Sequence, residues 1–233
     1  YKRYLDPETK MMRGVMGDGS FRTPFNPRYS SHMKSDYTEG NAFQWSFFAP
    51  HDMDNFISTI GGKKELETRL DTLFTTSSQV DGEEASGDIT GLIGQYAHGN
   101  EPSHHAAYIY NKIGQPEKAQ RYVHEILTKL YNDSPAGLCG NEDCGQTSAW
   151  YVFSAMGFYP MNPTSCEYEM GTPLFDRVTL HLDNGKNFVI EAVGKTPDGY
   201  KVKDVELNGR QLKTTYITHK DLVKGGRLKF IMK

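Results

Sequence analysis

Apolar residues recur with helical spacing over the first two thirds of the chain and alternate with polar residues over the last third. The clearest helix is predicted at 63–75, where Leu66, Leu70, Leu73 and Phe74 share one face and charged residues occupy the other. Further helices are predicted at 41–48, 54–60, 88–97 and 146–156, and a helical hairpin over 103–130 with its turn at Gly114. Strands are predicted at 167–170, 178–182, 188–192, 202–207 and 228–232.

This change of pattern predicts an α+β fold in two parts. Residues 1–162 would form paired helices, and residues 163–233 would form an antiparallel β-sheet segment with turns at sequences such as Asn208-Gly209. Antiparallel helix pairs joined by short loops can close into a toroid or stack into a solenoid. A solenoid would show a fixed sequence period, and these helices do not repeat one another, so the toroid is favoured.

The composition excludes several classes of protein. A hydrophobic share of 37% and a net charge of −3 with both signs mixed indicate a globular protein, and they give no basis for binding nucleic acid or a membrane surface. No apolar run approaches the ~20 residues that a membrane-spanning helix needs. Three cysteines without a CxxC motif, Cys139, Cys144 and Cys166, do not indicate a zinc site or a disulfide framework. Free thiols are expected, and a local disulfide between Cys139 and Cys144 is the alternative.

Three polar segments each combine carboxylates, amides and glycine immediately before a predicted helix. They are 36–45 (DYTEGNAFQW), 98–105 (HGNEPSHH) and 140–146 (GNEDCGQ). Loops at one end of a toroid converge, so these segments could bring Glu39, Glu101 and Asp143 together. An acidic residue at a helix start can simply be a cap, worth ~1 kcal/mol. Capping does not explain the neighbouring histidines, amides and aromatic residues, and we therefore predict one shared site.

Paired carboxylates predict hydrolysis of glycosides. One acid protonates the leaving oxygen, and a second carboxylate activates water or attacks directly. Asp143 precedes a predicted helix whose positive end favours the ionised form, so it suits the base. Glu39 lies in the sequence among Tyr37, Phe43 and Trp45, where desolvation would favour the protonated form, so it suits the acid. The positive end of the helix predicted after Glu39 would favour the ionised form instead, and the sequence does not decide which of the two effects on its pKa is larger.

Oxygen ligands beside these acids predict a Ca²⁺ site rather than a zinc site. Asn100, Glu101 and Gln44 would supply hard oxygen donors from several segments, because no EF-hand loop is present. Adjacent histidines on a helix point about 100° apart and do not readily chelate one metal, so one of the pair is expected to pack or to hydrogen-bond a sugar. The candidate substrate-binding residues are Trp45, His104, His105, Asn141 and Glu142.

At these segments the chain resembles glycoside hydrolase family 92. The strings that carry the resemblance are YTEGNAFQW at 37–45, HGNEPSHH at 98–105 and GNEDCGQTSAWYVFSAMGFYP at 140–160, in the order and with the approximate spacing of the family. The segment FDRVTLHLDNGKNFVIEA at 175–192 resembles the strands that follow its barrel. The resemblance implies the C-terminal part of an (α/α)6 barrel followed by antiparallel strands. It also implies a calcium-dependent, inverting exo-α-mannosidase that is periplasmic, secreted or on the cell surface.

The resemblance also implies roles for individual residues. Glu39 would be the general acid, Asp143 the general base, and Asn100 and Glu101 calcium ligands, with Gln44 a weaker candidate. Asn141 departs from the family, where an Asp is common at this position, so the base role would rest on Asp143 alone. The substrate would be terminal α-linked mannose of N-glycans or mannans, with α-1,2 linkage expected.

Nothing in the sequence resembles the N-terminal β-sandwich or the first half of the barrel of that family. We therefore expect the chain to be a C-terminal piece that needs the missing N-terminal part of the same protein as its partner, and to be inactive alone. Other readings stay open: another inverting (α/α)6 glycosidase acting on glucosides, a non-catalytic carbohydrate-binding module, or a helical-repeat scaffold whose carboxylates do not converge.

Overall fold

The structure, a computed structural model, describes residues 1–233 and mixes helices with sheets, as the hydrophobic pattern predicted. The helices are α1 (Ala42–Trp45), α2 (Met53–Ile60), α3 (Lys63–Thr75), α4 (Ala106–Lys112), α5 (Pro116–Lys129), α6 (Gln146–Met156) and α7 (His219–Val223). The strands are β1 (Leu92–Ile93), β2 (Tyr96–Ala97), β3 (Phe158–Tyr159), β4 (Glu167–Met170), β5 (Arg177–His181), β6 (Asn187–Val193), β7 (Val202–Leu207), β8 (Arg210–Gln211), β9 (Tyr216–Thr218) and β10 (Gly226–Met232). Short 3₁₀ helices lie at Pro50–Asp52, Glu101–Ser103 and Pro163–Ser165.

The chain divides into two compact units. The first unit comprises residues 1–106 and 134–143, and the second comprises residues 107–133 and 144–233. The switch from helices to strands falls close to residue 158, where β3 begins. The boundary proposed between residues 162 and 163, and the arrangement of the helices as part of a barrel, stay predictions. No helix of the chain is both long and apolar enough to cross a membrane, and the three cysteines are free thiols, as expected.

The core of the first unit forms where α2 packs on α3. Phe56 and Ile60 of α2 and Leu66 and Leu70 of α3 are completely buried, which explains the apolar stripe of the sequence. Gly61 separates the two helices with a φ of 118° and donates its N–H to the last carbonyls of α2. Glycine adopts this left-handed conformation without a Cβ penalty, so the chain can reverse within two residues.

The predicted helix at 88–97 is wrong. This segment instead forms the short antiparallel hairpin of β1 and β2, in which Ile93 pairs with Tyr96. Gly94 in the turn has a φ of 60°, and a Cβ there would lie 2.4 Å from the carbonyl oxygen of Leu73. The N–H of Gln95 donates to that same carbonyl at 2.7 Å. The hairpin therefore docks on the C-terminal end of α3, a contact that helical periodicity could not show.

The second unit contains α4 from its second residue on, α5, α6, α7 and strands β3–β10. Its strands form a five-stranded sheet in the order β5-β6-β10-β7-β8 and a three-stranded sheet in the order β3-β4-β9. The predicted antiparallel arrangement is correct except at the centre of the larger sheet, where β10 pairs parallel with β6. Alternation of apolar residues is the same in parallel and antiparallel strands, so the sequence pattern could not distinguish them. The core beneath the sheet includes Phe188, Ile190, Leu228 and Phe230.

A buried ion pair joins α4 to β4 within this unit. Lys112 Nζ lies 2.6 Å from Glu169 Oε1, and the Glu169 side chain is only 2% exposed. Asn111 Nδ2 donates to Glu169 Oε2 at 3.1 Å, so the carboxylate is paired and hydrogen-bonded. A buried charge without such partners would be strongly destabilising.

Candidate active site

The first of the three polar segments holds Glu39 on a tight loop before α1. Asn41 caps that helix, because its side chain accepts from the N–H of Phe43 at 2.9 Å. Trp45 folds back over the loop and donates its Nε1–H to the carbonyl of Thr38 at 2.8 Å. A Cβ on Gly40 would lie only 2.9 Å from that Nε1. The loop is therefore closely packed, and it presents an exposed Glu39 side chain.

Asn100 connects the first polar segment to the second. Its Nδ2 donates to the backbone oxygen of Glu39 at 3.1 Å and to Glu39 Oε2 at 3.3 Å. Its Oδ1 accepts from the N–H of Glu101 at 3.2 Å, which caps the 3₁₀ helix Glu101–Ser103. Since Asn100 is 7% exposed, these contacts hold the two acidic loops together from inside the unit.

The third polar segment completes a cluster of three carboxylates. Burial raises the pKa of Glu101, and its hydrogen bond with Asp143 and the charges of Asp143 and Glu39 raise it further. Glu101 therefore lies close enough to Asp143 and to Glu39 to be affected by both charges. Asn141, next in this loop, donates Nδ2 to Asp88 Oδ1 at 3.3 Å. The acids differ in environment, because Glu101 is partly buried and the Glu39 and Asp143 side chains are exposed.

The environment predicted for Glu39 is not found in this chain. We expected its aromatic sequence neighbours to desolvate it, but Trp45 turns towards Thr38 and Phe43 points into the core, 6% exposed. Burial raises the pKa of the Glu101 carboxyl. The acid role of Glu39 therefore depends on its place in the motif and on its neighbours in the cluster, and not on desolvation within these residues.

The histidines of the second segment are structural. His104 Nε2 donates to the carbonyl of His98 at 3.0 Å, and His105 Nε2 donates to the carbonyl of Phe47 at 2.7 Å. Burial lowers the pKa of His104 and of His105 to about 4. Their exposures are 2% and 4%, so the substrate-binding roles suggested for the pair have no support here. One part of the expectation was correct, since these side chains pack.

Gln44 also has a different role from the one expected. Its Oε1 accepts from the N–H of Asn41 at 2.7 Å, completing the capping box of α1. Its Nε2 donates to the carbonyl of Gln95 at 2.6 Å. These bonds account for a buried amide at this position without a metal, so we withdraw Gln44 as a calcium ligand.

Sequence analysis missed Gln95, which organises the base of the site. The side chain is completely buried, accepts from Asn41 Nδ2 at 3.0 Å, and donates to the carbonyls of Ser77 and Gln79. A large amide next to the turn glycine Gly94 was the available signal, but the segment had been interpreted as a helix. Gln95 therefore ties the α1 loop to the loop after α3.

No group of three His, Cys, Asp or Glu side chains in residues 1–233 has the geometry of a ready-made metal site. The oxygen donors at the cluster are Asn100 Oδ1 and the carboxylates, a donor set that suits a hard cation. The half-buried Trp45 and the exposed Asn141 and Glu142 lie on the same segments as these donors. Their roles in substrate binding stay predictions.

A sequence model described as the glycosyl hydrolase family 92 catalytic domain matches residues 1–233. The family 92 α-mannosidase BT3965 of Bacteroides thetaiotaomicron, in complex with mannoimidazole, is 40% identical and superposes with a TM-score of 0.93, covering 100% of this chain and 31% of that one. The family 92 inverting mannosidase BT2199 of the same bacterium is 39% identical with a TM-score of 0.83, covering 100% and 32%.

A more distant relative is a fungal protein of Arthroderma benhamiae, described as an uncharacterized secreted glycosidase. It is 28% identical over 206 residues, which are 87% of this chain and 24% of that protein. This chain therefore spans less than a third of the length of the relatives it matches.

Proposed function

The chain belongs to glycosyl hydrolase family 92, and we propose that it carries the acid, the base and calcium-binding residues of an inverting exo-α-mannosidase. The observation that supports this most strongly is the cluster in which Asn100 joins Glu39 to the Glu101 loop and Glu101 faces Asp143. Scattered helix caps would not bring Glu101 close to acids from two other segments. A carbohydrate-binding module or a repeat scaffold has no need of such a cluster.

The proposed reaction uses two carboxyl groups on opposite sides of the scissile bond. Glu39, protonated, donates its proton to the glycosidic oxygen as the bond to the anomeric carbon breaks. Asp143, ionised, takes a proton from a water molecule that attacks the anomeric carbon from the other face. This places the new hydroxyl opposite to the departing group and inverts the configuration.

Calcium is proposed for the cluster because of its charge and its donors. Burial raises the pKa of Glu101, and the charges of Asp143 and Glu39 raise it further; a cation bound beside these carboxylates would relieve their repulsion. Asn100 Oδ1 and the Glu101 carboxylate would be the protein ligands. Ca²⁺ takes ~6–8 oxygens, so water and sugar hydroxyls would complete the shell. When bound there, the ion would hold the mannose ring and favour its distortion.

Mannose at the non-reducing end of an α-linked oligosaccharide is the proposed substrate, with α-1,2 linkage as the expected preference. Two similar structures are of mannosidases, and one of them is described as inverting. Activity is proposed for a protein of the full family length, located outside the cytoplasm like the secreted glycosidase relative. The remaining length would supply the rest of the sugar-binding surface.

A panel of aryl glycosides tests this proposal. The full-length protein should hydrolyse 4-nitrophenyl α-mannoside and not the α-glucoside. On α-1,2-mannobiose, whose sugar leaving group needs a proton, the Glu39→Gln variant should lose ~10²–10⁴-fold in kcat. Hydrolysis of the glucoside alone would favour another inverting glycosidase. Sugar binding measured by calorimetry, combined with unchanged activity of Glu39→Gln on α-1,2-mannobiose, would favour a binding module.

A further inference from the structure

We propose that the backbone contact between Gly99 and Gly140 sets the position of Glu101 relative to Asp143. The two glycines are positioning residues, because neither has a side chain that could touch substrate. The inference rests on the proposed function only for its kinetic consequence. The structural part of the inference is that a contact between two backbones fixes the relative position of two acidic loops. It depends only on distances within the first unit.

Gly140 lies directly against the backbone of Gly99. A Cβ built on Gly140 would lie 2.5 Å from the carbonyl oxygen of Gly99, 2.6 Å from its Cα and 2.9 Å from its carbonyl carbon. All three atoms belong to the backbone, so no rotation of a side chain can relieve the overlap. Any other residue at position 140 therefore has to move one loop away from the other.

Gly99 is also enclosed by Thr90 and Cys139. A Cβ on Gly99 would lie 1.9 Å from Thr90 Oγ1 and 3.2 Å from the carbonyl oxygen of Cys139. The N–H of Gly99 donates to the carbonyl of Thr90 at 3.1 Å, which fixes this side of the segment. The backbone at Gly99 therefore lies between the segments that contain Thr90 and Gly140.

The need for glycine at positions 99 and 140 is steric rather than conformational. Neither residue has a φ in the left-handed region, whereas Gly91 beside Thr90 has a φ of 60°. An alanine could adopt the backbone angles of both positions but could not occupy the space. Substitution with alanine therefore tests the close approach of the loops and does not add backbone strain.

Short, stiff connections lead from this contact to the carboxylates. Glu101 follows Gly99 by two residues, with the Asn100 cap between them. Asp143 follows Gly140 by three residues and has a fixed left-handed backbone. Catalytic groups must be held within about 0.5 Å of their productive geometry, and a displacement of about 1 Å can lower the rate ~10²-fold. Relief of the overlaps requires shifts of this size.

The test compares five variants of the full-length protein. Gly140→Ala and Gly99→Ala should lower kcat for an aryl α-mannoside by ~10²-fold with a smaller change in KM. Amide hydrogen exchange should accelerate in residues 98–101 and 139–143 and remain unchanged in α3. Gly17→Ala is the matched control, because a Cβ at Gly17 meets nothing within 4 Å and its φ is not left-handed. It should behave as the wild type in both measurements.

A second substitution, at Thr90, tests the inference even if Gly99→Ala alone folds poorly. Thr90 Oγ1 is buried and has no hydrogen-bond partner, so Thr90→Ala should be tolerated. The same oxygen is the nearest obstacle to a Cβ at position 99, so Thr90→Ala combined with Gly99→Ala should recover at least part of the lost kcat.

Three results would overturn the inference: wild-type exchange and kcat in both glycine variants, no recovery in the double variant, or accelerated exchange spread through the whole unit. If the wild-type protein cleaves no glycoside, the proposed function fails. The exchange measurement then decides the inference alone, since acceleration confined to the two segments supports it and any other pattern contradicts it.

Discussion

Glu39 and Asp143 adopt the same left-handed backbone conformation, with φ angles of 53° and 50°. For residues that carry a Cβ, this conformation costs about 1–2 kcal/mol, because Cβ crowds the following carbonyl oxygen. Such strain persists only where the surrounding structure enforces it, and it concentrates at functional sites. The two proposed catalytic carboxylates are therefore held in place at the expense of stability.

Replacement of either acid by glycine should reveal this strain. Glu39→Gly and Asp143→Gly should unfold with a free energy roughly 0.5–1 kcal/mol higher than Glu39→Ala and Asp143→Ala, after allowance for the flexibility of glycine in the unfolded chain. All four variants should lose activity. Urea unfolding and steady-state kinetics measure both effects.

Lys10 is the matched control for the strain experiment. It also has a left-handed backbone, with a φ of 57°, but it lies outside the acidic cluster. Lys10→Gly should exceed Lys10→Ala in stability by a similar margin and retain activity. Equal stability of the glycine and alanine variants at positions 39 and 143 would show that the conformation is relaxed, and the account of strain would then be wrong.

Calcium dependence should separate Glu101 from Gln44. Chelation should abolish activity and added calcium should restore it, and Glu101→Gln should raise the calcium concentration for half-maximal activity by at least about 10-fold. Gln44→Met should leave that concentration unchanged but lower the free energy of unfolding by about 1–2 kcal/mol, because it removes the capping box and the bond to Gln95. A weaker calcium response in Gln44→Met would restore it as a ligand candidate.

Stability should fall as the pH is lowered through the range where the buried histidines resist protonation. The pKa of His104 and of His105 is lowered to about 4 in the folded protein from an ordinary value of 6.5. Between these values the unfolded chain binds more protons, so the free energy of unfolding decreases as pH falls from 6.5 towards 4. Above pH 6.5 the contribution is fully present.

One buried histidine can change the free energy of unfolding by at most about 1.4 kcal/mol per pH unit. His105→Gln should reduce the slope measured by urea unfolding between pH 6.5 and 4, and His181→Gln, at an exposed position, should not. An unchanged slope in His105→Gln would mean that folding does not lower the pKa of His105.

The isolated 233-residue chain should not hydrolyse mannosides. Its Glu39 and Asp143 side chains are exposed, and catalytic electrostatics require a site from which water is excluded. It spans 31% of the mannosidase BT3965. We expect no calcium-dependent release of mannose from α-1,2-mannobiose by the purified chain under conditions in which the full-length protein is active. Measurable release would show that these residues suffice.

Local features of the sequence predicted local structure well. Helices α3 and α6 begin and end where the pattern placed them, at Lys63–Thr75 and Gln146–Met156, because an apolar stripe or a glycine stop marks their limits. Strands β4 and β7 also match, at Glu167–Met170 and Val202–Leu207. In these segments side-chain periodicity and turn chemistry are sufficient.

Features that depend on distant contacts were not predictable. The β1–β2 hairpin depends on a close approach of Gly94 to Leu73, and the parallel pairing of β10 with β6 depends on strand order in the sheet. At the site, the motifs predicted that three acids would meet. They could not show that Gln44 bonds to the carbonyl of Gln95 or His105 to that of Phe47, because hydrogen-bond partners distant in sequence leave no local pattern.

The stereochemistry of the first product tests the central claim most directly. The full-length protein, with calcium, should be given α-1,2-mannobiose, and the released mannose should be followed by proton NMR from the first minute. The account predicts that the β-anomer appears first and that the α-anomer grows only by mutarotation, because Glu39 and Asp143 act on opposite faces. Initial release of α-mannose would contradict the proposed roles of the two residues.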